Sequence, residues 1–340
     1  MAIPSITVIG SLNTDLITRT TRVPAAGETL ISQSFSTGSG GKGANQAVAC
    51  ARLSRKNATA PVDIAVRMIG AVGDDTFGHD LLEDLQSNGI ETDGVAVKKG
   101  ERSGVAVIIV EEQSGENRIL MSPNANFSLR PNEFVQLRSP RLDLIVLQLE
   151  IPLDTTLQIL KIARENGVEV VMNPAPAQKL PKEAWEGVTH LIVNESEASI
   201  ITDCAEEQPS WRKWGKHMEC IVSLGVEHVT ITLGPQGAIY MDTRLGQYWY
   251  HPAKQVKVVD TTAAGDTFVG AYAVAITKQW GRSGNVAAAV KWAIEAAAKT
   301  VEVEGAQAAI PWLEQIDTFD ESRIKLREGT GFESWSRGVD

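Results

Sequence analysis

The chain has 340 residues, of which 43% are apolar and 22% charged, and a formal net charge of -10. This composition is typical of a globular protein and excludes disordered and fibrous classes. The acidic balance, without Lys or Arg clusters, argues against a nucleic acid partner. Three cysteines without a paired motif indicate a reducing, cytoplasmic compartment, with the nucleus as a eukaryotic alternative. No signal peptide and no run of roughly 18 apolar residues is found, so we expect no membrane partner.

Short apolar runs alternate with helical patterns. The runs are continuous, as expected for strands that are covered on both faces. The strand candidates are Ile6–Leu12, Ile64–Ala71, Leu142–Leu149, Val168–Met172, Leu191–Val193 and Val229–Leu233. Asp74–Asn88 and Asp154–Asn166 have helical periodicity and end at Asn-Gly, with Asp154 as the expected N-cap of the second helix. This alternation predicts an α/β fold, with a mainly parallel sheet between two helical layers.

Two segments have a different pattern. Thr29–Thr37 alternates between polar and apolar residues, and the stretch 95–121 contains two strand candidates, Val105–Val110 and Asn117–Met121, joined at Ser114-Gly115. Half-apolar strands are typical of a sheet with one solvent-facing side. We therefore expect a small β-sheet lid, formed by about residues 16–37 and 95–121, within a single domain spanning 1–340. The tail after Asp317 is polar, and we expect it to be loosely held.

The run Gly38–Gly43 satisfies the G-x-G-x-x-G pattern of dinucleotide-binding folds, and Asp63 follows about 20 residues later. The context contradicts that interpretation. In such folds the acidic residue ends the second strand, whereas Asp63 precedes a strand, and the glycines here follow a lid strand. A Walker A loop is excluded as well, because Lys42 is followed by Gly43 and not by Ser or Thr.

Two polar motifs are candidates for binding a small ligand. The glycines of Gly40–Gly43 let the backbone approach a ligand at the start of a helix, where Lys42 and Asn45 supply donors. Asn13 and Asp15 follow the first strand, and ligands of parallel sheets lie at the carboxyl ends of strands. A glycine hinge and ordinary turn residues are the alternative interpretations.

The segment Asp260–Phe268 combines small residues with an acid in front of a helix over Val269–Ile276. The unblocked amides of Ala263–Gly265 at a helix N-terminus would bind an anion such as a transferring phosphate. Asp266 would then lie where it can contact both the phosphate and the acceptor hydroxyl. The alternative role of Asp266 is that of an N-cap.

Together these motifs resemble those of the PfkB carbohydrate kinases, most closely the members that phosphorylate ribose. The resemblance extends from Gly10 to about Trp312. It rests on Gly10–Asp15, Gly40–Gln46, Asn173–Ala177, Asn194–Glu197, Thr232–Gly237, Asp260–Phe268 and Gly305–Gln307. Each motif is weak alone, but seven in this order are specific. The resemblance implies a three-layer α/β/α core with a lid, and transfer of phosphate from ATP to the 5-hydroxyl of D-ribose.

The resemblance also implies roles for individual residues. The sugar would be held by Asn13, Asp15, Gly41, Lys42, Asn45 and Glu150. Asp266 would be the catalytic base, and Ala263, Ala264 and Gly265 would form the anion hole. Asn194 and Glu197 would arrange Mg²⁺, mainly through water. The nucleotide would contact Gly265, Asp266 and the loop of Thr232, Leu233, Gly234, Pro235, Gln236 and Gly237.

A site for K⁺ and a homodimer formed through the lids are implied in the same way. The K⁺ site would comprise Asp260, Thr262, Thr300, Val303, Gly305 and Ala309. Two residues depart from the family pattern: Ala309 replaces a serine ligand, and Ile294 replaces a polar residue facing the adenine. The alternatives are a family kinase for 2-deoxyribose, fructose or a nucleoside such as adenosine, and a non-catalytic sugar or nucleotide sensor. Intact Asp266 argues against the sensor.

Overall fold

The computed structural model describes residues 3–112, 116–135, 142–202, 210–242, 247–278 and 286–316. The strands in this part of the chain are β1 (Ser5–Ile9), β2 (Asn13–Thr20), β3 (Ser34–Gly40), β4 (Ala65–Gly73), β5 (Glu91–Lys98), β6 (Gly104–Glu111), β7 (Asn117–Ser122), β8 (Leu144–Leu147), β9 (Glu169–Met172), β10 (His190–Asn194), β11 (His228–Thr232), β12 (Gly237–Asp242) and β13 (Gln247–Pro252). The helices are α1 (Lys42–Ser54), α2 (Thr76–Ser87), α3 (Leu153–Glu165), α4 (Lys182–Trp185), α5 (Glu195–Thr202), α6 (Ser210–Val222), α7 (Ala264–Thr277) and α8 (Val286–Thr300).

Nine strands form the main sheet, in the order β13-β12-β11-β10-β9-β8-β1-β4-β5. The strands from β5 to β11 are parallel to their neighbours, while β12 and β13 extend one edge in antiparallel fashion. Helices α1, α2, α7 and α8 pack on one face, and α3 to α6 pack on the other. The predicted three-layer α/β/α architecture is confirmed. None of the helices in the described part of the chain is long and apolar enough to cross a membrane.

Burial on both faces explains why the central strands have continuous apolar runs. In β1, Ile6 and Val8 pack under α1 and α7, whereas Ile9 packs into the core on the opposite face. Each of these side chains is fully buried. Since successive strand residues point to opposite faces, apolar residues are favoured at consecutive positions when both faces are covered.

Strands β3-β2-β6-β7 form a second, four-stranded sheet. Strand β2 is antiparallel to β3 and parallel to β6, and β7 is antiparallel to β6. The chain enters this lid directly from β1, through Gly10–Leu12. The Asn126 side chain holds the crossing in place, because it accepts from the Leu12 amide at 2.9 Å and donates to the Leu12 carbonyl at 3.0 Å.

Several predicted boundaries are wrong in the lid. The first strand was expected to span Ile6–Leu12, with Asn13 and Asp15 at its end, but β1 ends at Ile9 and Asn13 already begins β2. The predicted strand over Thr29–Thr37 starts only at Ser34, because the pairing of β2 with β3 ends at Arg19 and Ser34. Residues 95–98 of the expected lid pair with β4 in the main sheet instead.

Other differences concern the start of a helix and one edge of the main sheet, and two expectations cannot be compared with the structure. Asp154 is not the N-cap of α3; Pro152 occupies that position, and Asp154 lies in the first turn. The antiparallel pair β12 and β13 was not predicted. The turn at Ser114-Gly115 and the tail after Asp317 lie outside the described residues.

Candidate active site

Polar residues from three strand ends converge at the carboxyl edge of the main sheet. Ser11 follows β1, Gln148–Glu150 follows β8, and Asn173 follows β9. These strands are parallel neighbours, so their carboxyl ends meet at one edge. Helices α1 and α7 begin at the same edge, where the Asn45 amide donates to the Asp266 carboxylate at 3.0 Å. Ligands of α/β sheets bind at this kind of edge.

The glycine-rich loop before α1 packs against the end of the first strand. Gly41 has a φ of 87°, and a Cβ there would lie 2.7 Å from the Asn13 amide nitrogen. Glycine is therefore required for both backbone conformation and close approach. The approach brings the Lys42 amide to 3.1 Å from Glu150 Oε2, which also accepts from the Ser11 hydroxyl at 2.5 Å. The loop thus fixes Lys42 and Glu150 relative to each other.

Four carboxyl groups, those of Asp15, Glu150, Glu197 and Asp266, and the ammonium group of Lys42 interact in this pocket. Burial, followed by the charges of Glu150 and Asp266, raises the pKa of Asp15 to about 7. Burial also raises the pKa of Glu150, although hydrogen bonds to its carboxylate and the charge of Lys42 oppose this. The charge of Asp266 is the main cause of the raised pKa of Lys42. The pocket is therefore rich in acceptors, which suits a ligand with several hydroxyl groups.

The start of α7 offers an anion site. The helix begins after Ala263, which has a left-handed φ of 59°, uncommon for a residue other than glycine. The amides of Gly265 and Asp266 have no backbone acceptor in the described part of the chain, as is usual in a first helical turn. A Cβ at Gly265 would meet no atom within 4 Å, so there is open space beside Gly265. This arrangement favours a phosphate group.

Asp266 is buried, and both of its oxygens accept hydrogen bonds from α1. Oδ2 accepts from Asn45 at 3.0 Å, and Oδ1 accepts from Gln46 at 3.0 Å. The N-cap position of α7 belongs to Ala263, so the alternative role of Asp266 as an N-cap is wrong. Its carboxylate is instead held by side chains at the pocket.

Asn194 and Glu197 form a capping box at the start of α5. Each backbone amide donates to the other residue's side-chain oxygen, at 2.8 Å in both cases. The second carboxylate oxygen of Glu197 has no protein donor among the described residues. Burial raises the pKa of Glu197, and the charges of Lys42 and Asp266 also act on it. This carboxylate therefore faces the same pocket and offers an oxygen ligand of the kind that Mg²⁺ prefers.

The predicted nucleotide loop, Thr232–Gly237, is the tight turn between β11 and β12. Gly234 and Gly237 adopt φ values of 52° and 115°, which other residues rarely do. Asn194 pairs with Thr232 across the parallel strands β10 and β11, so this turn lies beside the capping box.

The loops expected to bind K⁺ meet at Asp260. Its Oδ1 accepts from the amide and hydroxyl of Thr262 at 2.9 and 2.7 Å, and its Oδ2 accepts from the Gly305 amide at 3.0 Å. Burial would raise the pKa of Asp260, but these hydrogen bonds outweigh it and lower the pKa. The carbonyl of Thr300, which ends α8, accepts from the Val303 amide at 3.1 Å in the second loop. Asp260 thus holds the two loops together, and the binding of K⁺ between them stays a prediction.

Both departures from the family pattern are buried apolar residues. Ala309 is 4% exposed and adds only a methyl group, while Ile294 on α8 is 7% exposed and packs into the core with α1 and α7. In the described part of the chain, no cluster of His, Cys, Asp and Glu is built to hold a metal ion. A cation would therefore rely on carbonyl, hydroxyl and water oxygens around single carboxylates.

Five polar residues of this edge were absent from the predicted site. They are Ser11, Gln46, Asn126, Gln148 and Asn173, all buried and hydrogen-bonded. Ser11, Gln46 and Asn173 lie within motifs of the resemblance but had been given no role. Gln148 stands between Leu147 and Leu149 at the end of a buried strand. A single amide side chain in such an apolar run could have indicated a buried polar site, because a buried polar group needs a hydrogen-bond partner.

A separate cavity of 380 Å³ lies against β1, β4 and β5, away from this pocket. Its floor is apolar, and its charged residues already have partners: Arg67 lies 3.4 Å from Asp93, and Glu133 lies 3.1 Å from Lys98. It contributes nothing to the candidate active site.

We predict that ionisation of Asp15 destabilises the fold. Its pKa is about 7 in the folded chain against an ordinary 3.8, so between these values only the folded state holds the proton. Stability is then lost as pH rises from about 4 to 7. Asp15→Asn cannot ionise, so its stability gain over the unchanged protein should be larger at pH 8 than at pH 5. The difference should be on the order of 3 kcal/mol, measured by urea unfolding.

Asp154→Asn, at an exposed carboxylate in the first turn of α3, is the control and should show no such difference. An equal effect of Asp15→Asn at both pH values would contradict the prediction.

The sequence profile of the pfkB family of carbohydrate kinases matches residues 4–313. A ribokinase from Schizosaccharomyces pombe is 42% identical over 319 residues, which cover 92% of this chain and 96% of the relative. A deoxyribokinase from Salmonella typhi is 37% identical and covers 92% of this chain and 98% of its own length.

Solved structures show the same fold. A ribokinase from Thermotoga maritima has a TM-score of 0.79 and 32% identity, covering 92% of this chain and 98% of that chain. Arabidopsis thaliana ribokinase complexed with ribose and ATP has a TM-score of 0.77 and 27% identity, covering 93% and 98%. The expected resemblance is confirmed, and the chain belongs to the pfkB family of carbohydrate kinases.

Proposed function

We propose that this kinase transfers the terminal phosphoryl group of ATP to the 5-hydroxyl of D-ribose, giving ADP and D-ribose 5-phosphate. The observation that carries the proposal is the placement of Asp266. Its buried carboxylate lies between a pocket of hydroxyl acceptors and the open amides at the start of α7. The relatives named above support ribose as the sugar, and the deoxyribokinase makes 2-deoxyribose the competing substrate.

In this proposal, the sugar hydroxyls bind to Asn13, Asp15, Lys42, Asn45 and Glu150, beside Gly41. Asp15 and Glu150 act as acceptors, and Lys42 and Asn45 act as donors. A substrate that lacks one hydroxyl leaves a buried partner unpaired, which is costly and gives specificity.

Asp266 orients the attacking hydroxyl and takes its proton late, as suits the loose transition state of phosphoryl transfer. The amides of Ala263, Ala264 and Gly265 stabilise the charge that develops on the phosphate. The Ala264 amide is not unblocked as expected, because it donates to the Thr261 carbonyl at 3.3 Å, whereas the Gly265 amide is open. Mg²⁺ near Asn194 and Glu197 would neutralise charge on the phosphate oxygens. The nucleotide would lie along Thr232–Gly237. A cytoplasmic location remains a prediction from the cysteine content.

We predict that Asp266→Asn lowers kcat by about 10²–10⁴, the usual scale for a positioned general base. The amide keeps the shape of the side chain but cannot accept the proton. Ribose binding should change less, because the other sugar contacts remain. An assay of ADP release across ribose, 2-deoxyribose, fructose and adenosine, with ribose affinity from calorimetry, measures both effects.

Asp154→Asn is the matched control, since Asp154 also lies in the first turn of a helix but is exposed and accepts from the Thr155 amide of its own helix. Turnover of Asp266→Asn at the level of the unchanged protein would contradict the role of Asp266 and favour the sensor.

We predict activation by K⁺, held by Asp260 and nearby carbonyls, with water replacing the hydroxyl that Ala309 lacks. Activity should rise when K⁺ replaces a bulky organic cation. Ala309→Ser restores the hydroxyl and should lower the K⁺ concentration that gives half-activation. Ala308→Ser adds the same group on the exposed side of the turn and should change nothing. If neither the unchanged protein nor Ala309→Ser responds to K⁺, the proposed site is wrong.

We predict a homodimer formed through the lids. Leu16, Val107 and Leu120 are aligned across three lid strands on the face opposite Asp15, with Phe35 on the fourth strand. Val107, Leu120 and Phe35 are 38%, 68% and 62% exposed. An exposed apolar row of this kind favours association. Sedimentation should give a dimer at micromolar concentrations, and Leu120→Glu should shift it toward monomer, whereas Val62→Glu outside the lid should not. A fully active monomer would refute this.

A further inference from the structure

A chain of buried side-chain amides leads to Asp266 from the ends of β8 and β9. Gln148 Nε2 donates to Gln46 Oε1 at 2.7 Å. Gln46 Nε2 then donates to Asp266 Oδ1 at 3.0 Å and to Asn173 Oδ1 at 3.2 Å. Gln46 and Gln148 are fully buried, and Asn173 is 8% exposed. None of these three amides has been given a part in binding the sugar or the nucleotide.

The direction of every hydrogen bond in this chain follows from one backbone carbonyl. The Ile192 carbonyl can only accept, so Asn173 must donate to it through Nδ2, at 3.0 Å. The side-chain oxygen of Asn173 then faces Gln46, which must donate to it through its NH₂ group. The second hydrogen of that NH₂ group points to Asp266. The side-chain oxygen of Gln46 accepts from Gln148 Nε2.

We propose that Gln46 is a positioning residue for Asp266, and that Gln148 and Asn173 keep its amide in the donating orientation. The inference rests on the proposed function, in which Asp266 receives the proton of the sugar hydroxyl. With Oδ1 held by Gln46 and Oδ2 held by Asn45, the carboxylate plane cannot rotate. The carboxylate thereby keeps an acceptor position directed at the pocket.

A purely structural role makes a different prediction. If the amides only fill a buried polar gap, replacing one of them should lower stability without a specific loss of turnover. If they orient Asp266, turnover should fall more than sugar binding, since a misplacement of about 1 Å can cost about 10²-fold in rate. The ratio of kcat to KM effects therefore separates the two roles.

The experiment uses two substitutions of similar volume at Gln46. Gln46→Met cannot donate, and we expect kcat to fall about 10²-fold at every pH, with a smaller change in ribose KM. Gln46→Glu also loses the donor at neutral pH, but regains an O–H as the pH falls. Its kcat relative to the unchanged protein should therefore rise between pH 8 and pH 5.5, while that of Gln46→Met should not. If the loss of kcat came only from a packing defect, it would not change with the protonation of the new side chain.

Gln148 provides an independent test, because it contacts Gln46 and not Asp266. Gln148→Met should lower kcat less than Gln46→Met, and the double variant should be no slower than Gln46→Met alone. Such non-additivity is expected when one residue acts through another. Gln158→Met is the control; Gln158 on α3 donates to the Phe134 carbonyl at 3.4 Å and should leave kcat unchanged. Melting temperatures are recorded for all variants.

Crystal structures of the unchanged protein and of Gln46→Met decide the inference without any assay. We expect the contact between Asp266 Oδ2 and Asn45 Nδ2, 3.0 Å in the unchanged protein, to be lost in the variant. If the unchanged protein phosphorylates neither ribose nor 2-deoxyribose, the proposed function fails, and the crystal structures still test the positioning of Asp266. An undisplaced Asp266, or an unchanged kcat in folded Gln46→Met, would overturn the inference.

Discussion

The candidate site depends on how closely α1 packs against α7. Gly270 makes this contact possible, because a Cβ there would lie only 2.4 Å from the Ala49 side chain and 2.9 Å from the Cys50 amide nitrogen. With the helices at this separation, Asn45 and Gln46 reach the Asp266 carboxylate from the neighbouring helix. A side chain at position 270 would push the helices apart, and the start of α7 would no longer face the glycine-rich loop. The hydrogen bonds of Asn45 and Gln46 to Asp266 therefore depend on the close contact between the backbones of the two helices.

Charge is divided between two parts of the pocket. The part near the lid holds Asp15 and Glu150. Burial is the main cause of their raised pKa values; the charge of Asp266 raises both further, and the charge of Glu150 also raises the pKa of Asp15. This part suits hydroxyl groups and repels phosphate. The start of α7 instead presents backbone amides, with Lys42 as the nearby cation that interacts with Asp266. A neutral sugar and a polyanionic nucleotide are therefore favoured at different ends of one pocket, with Asp266 between them.

The parts of the fold that depend on local sequence were predictable. Continuous apolar runs identified the buried strands. The small residues at the start of α7 pointed to Asp266 and the neighbouring amides, whose role stays a prediction. Strand β2 was missed because Asn13–Asp15 is polar and pairs with glycines at 38, 40 and 104, which are distant in sequence. The alternation of residues 29–33 was misleading, because no partner strand continues there. Gln46 and Gln148 were overlooked because a single amide in an apolar segment does not specify its partner.

The parallel pairing of β2 with β6 has a consequence for folding. Asn13 pairs with Gly104, so two segments that are about ninety residues apart in the chain must meet before the lid sheet can form. Such long-range pairing forms slowly. The candidate sugar ligands Asn13 and Asp15 lie on this strand. Completion of the lid sheet and assembly of this side of the ligand pocket are therefore a single event. A bound sugar would stabilise the lid sheet by mass action, and the lid is the part of the fold that local sequence determines least.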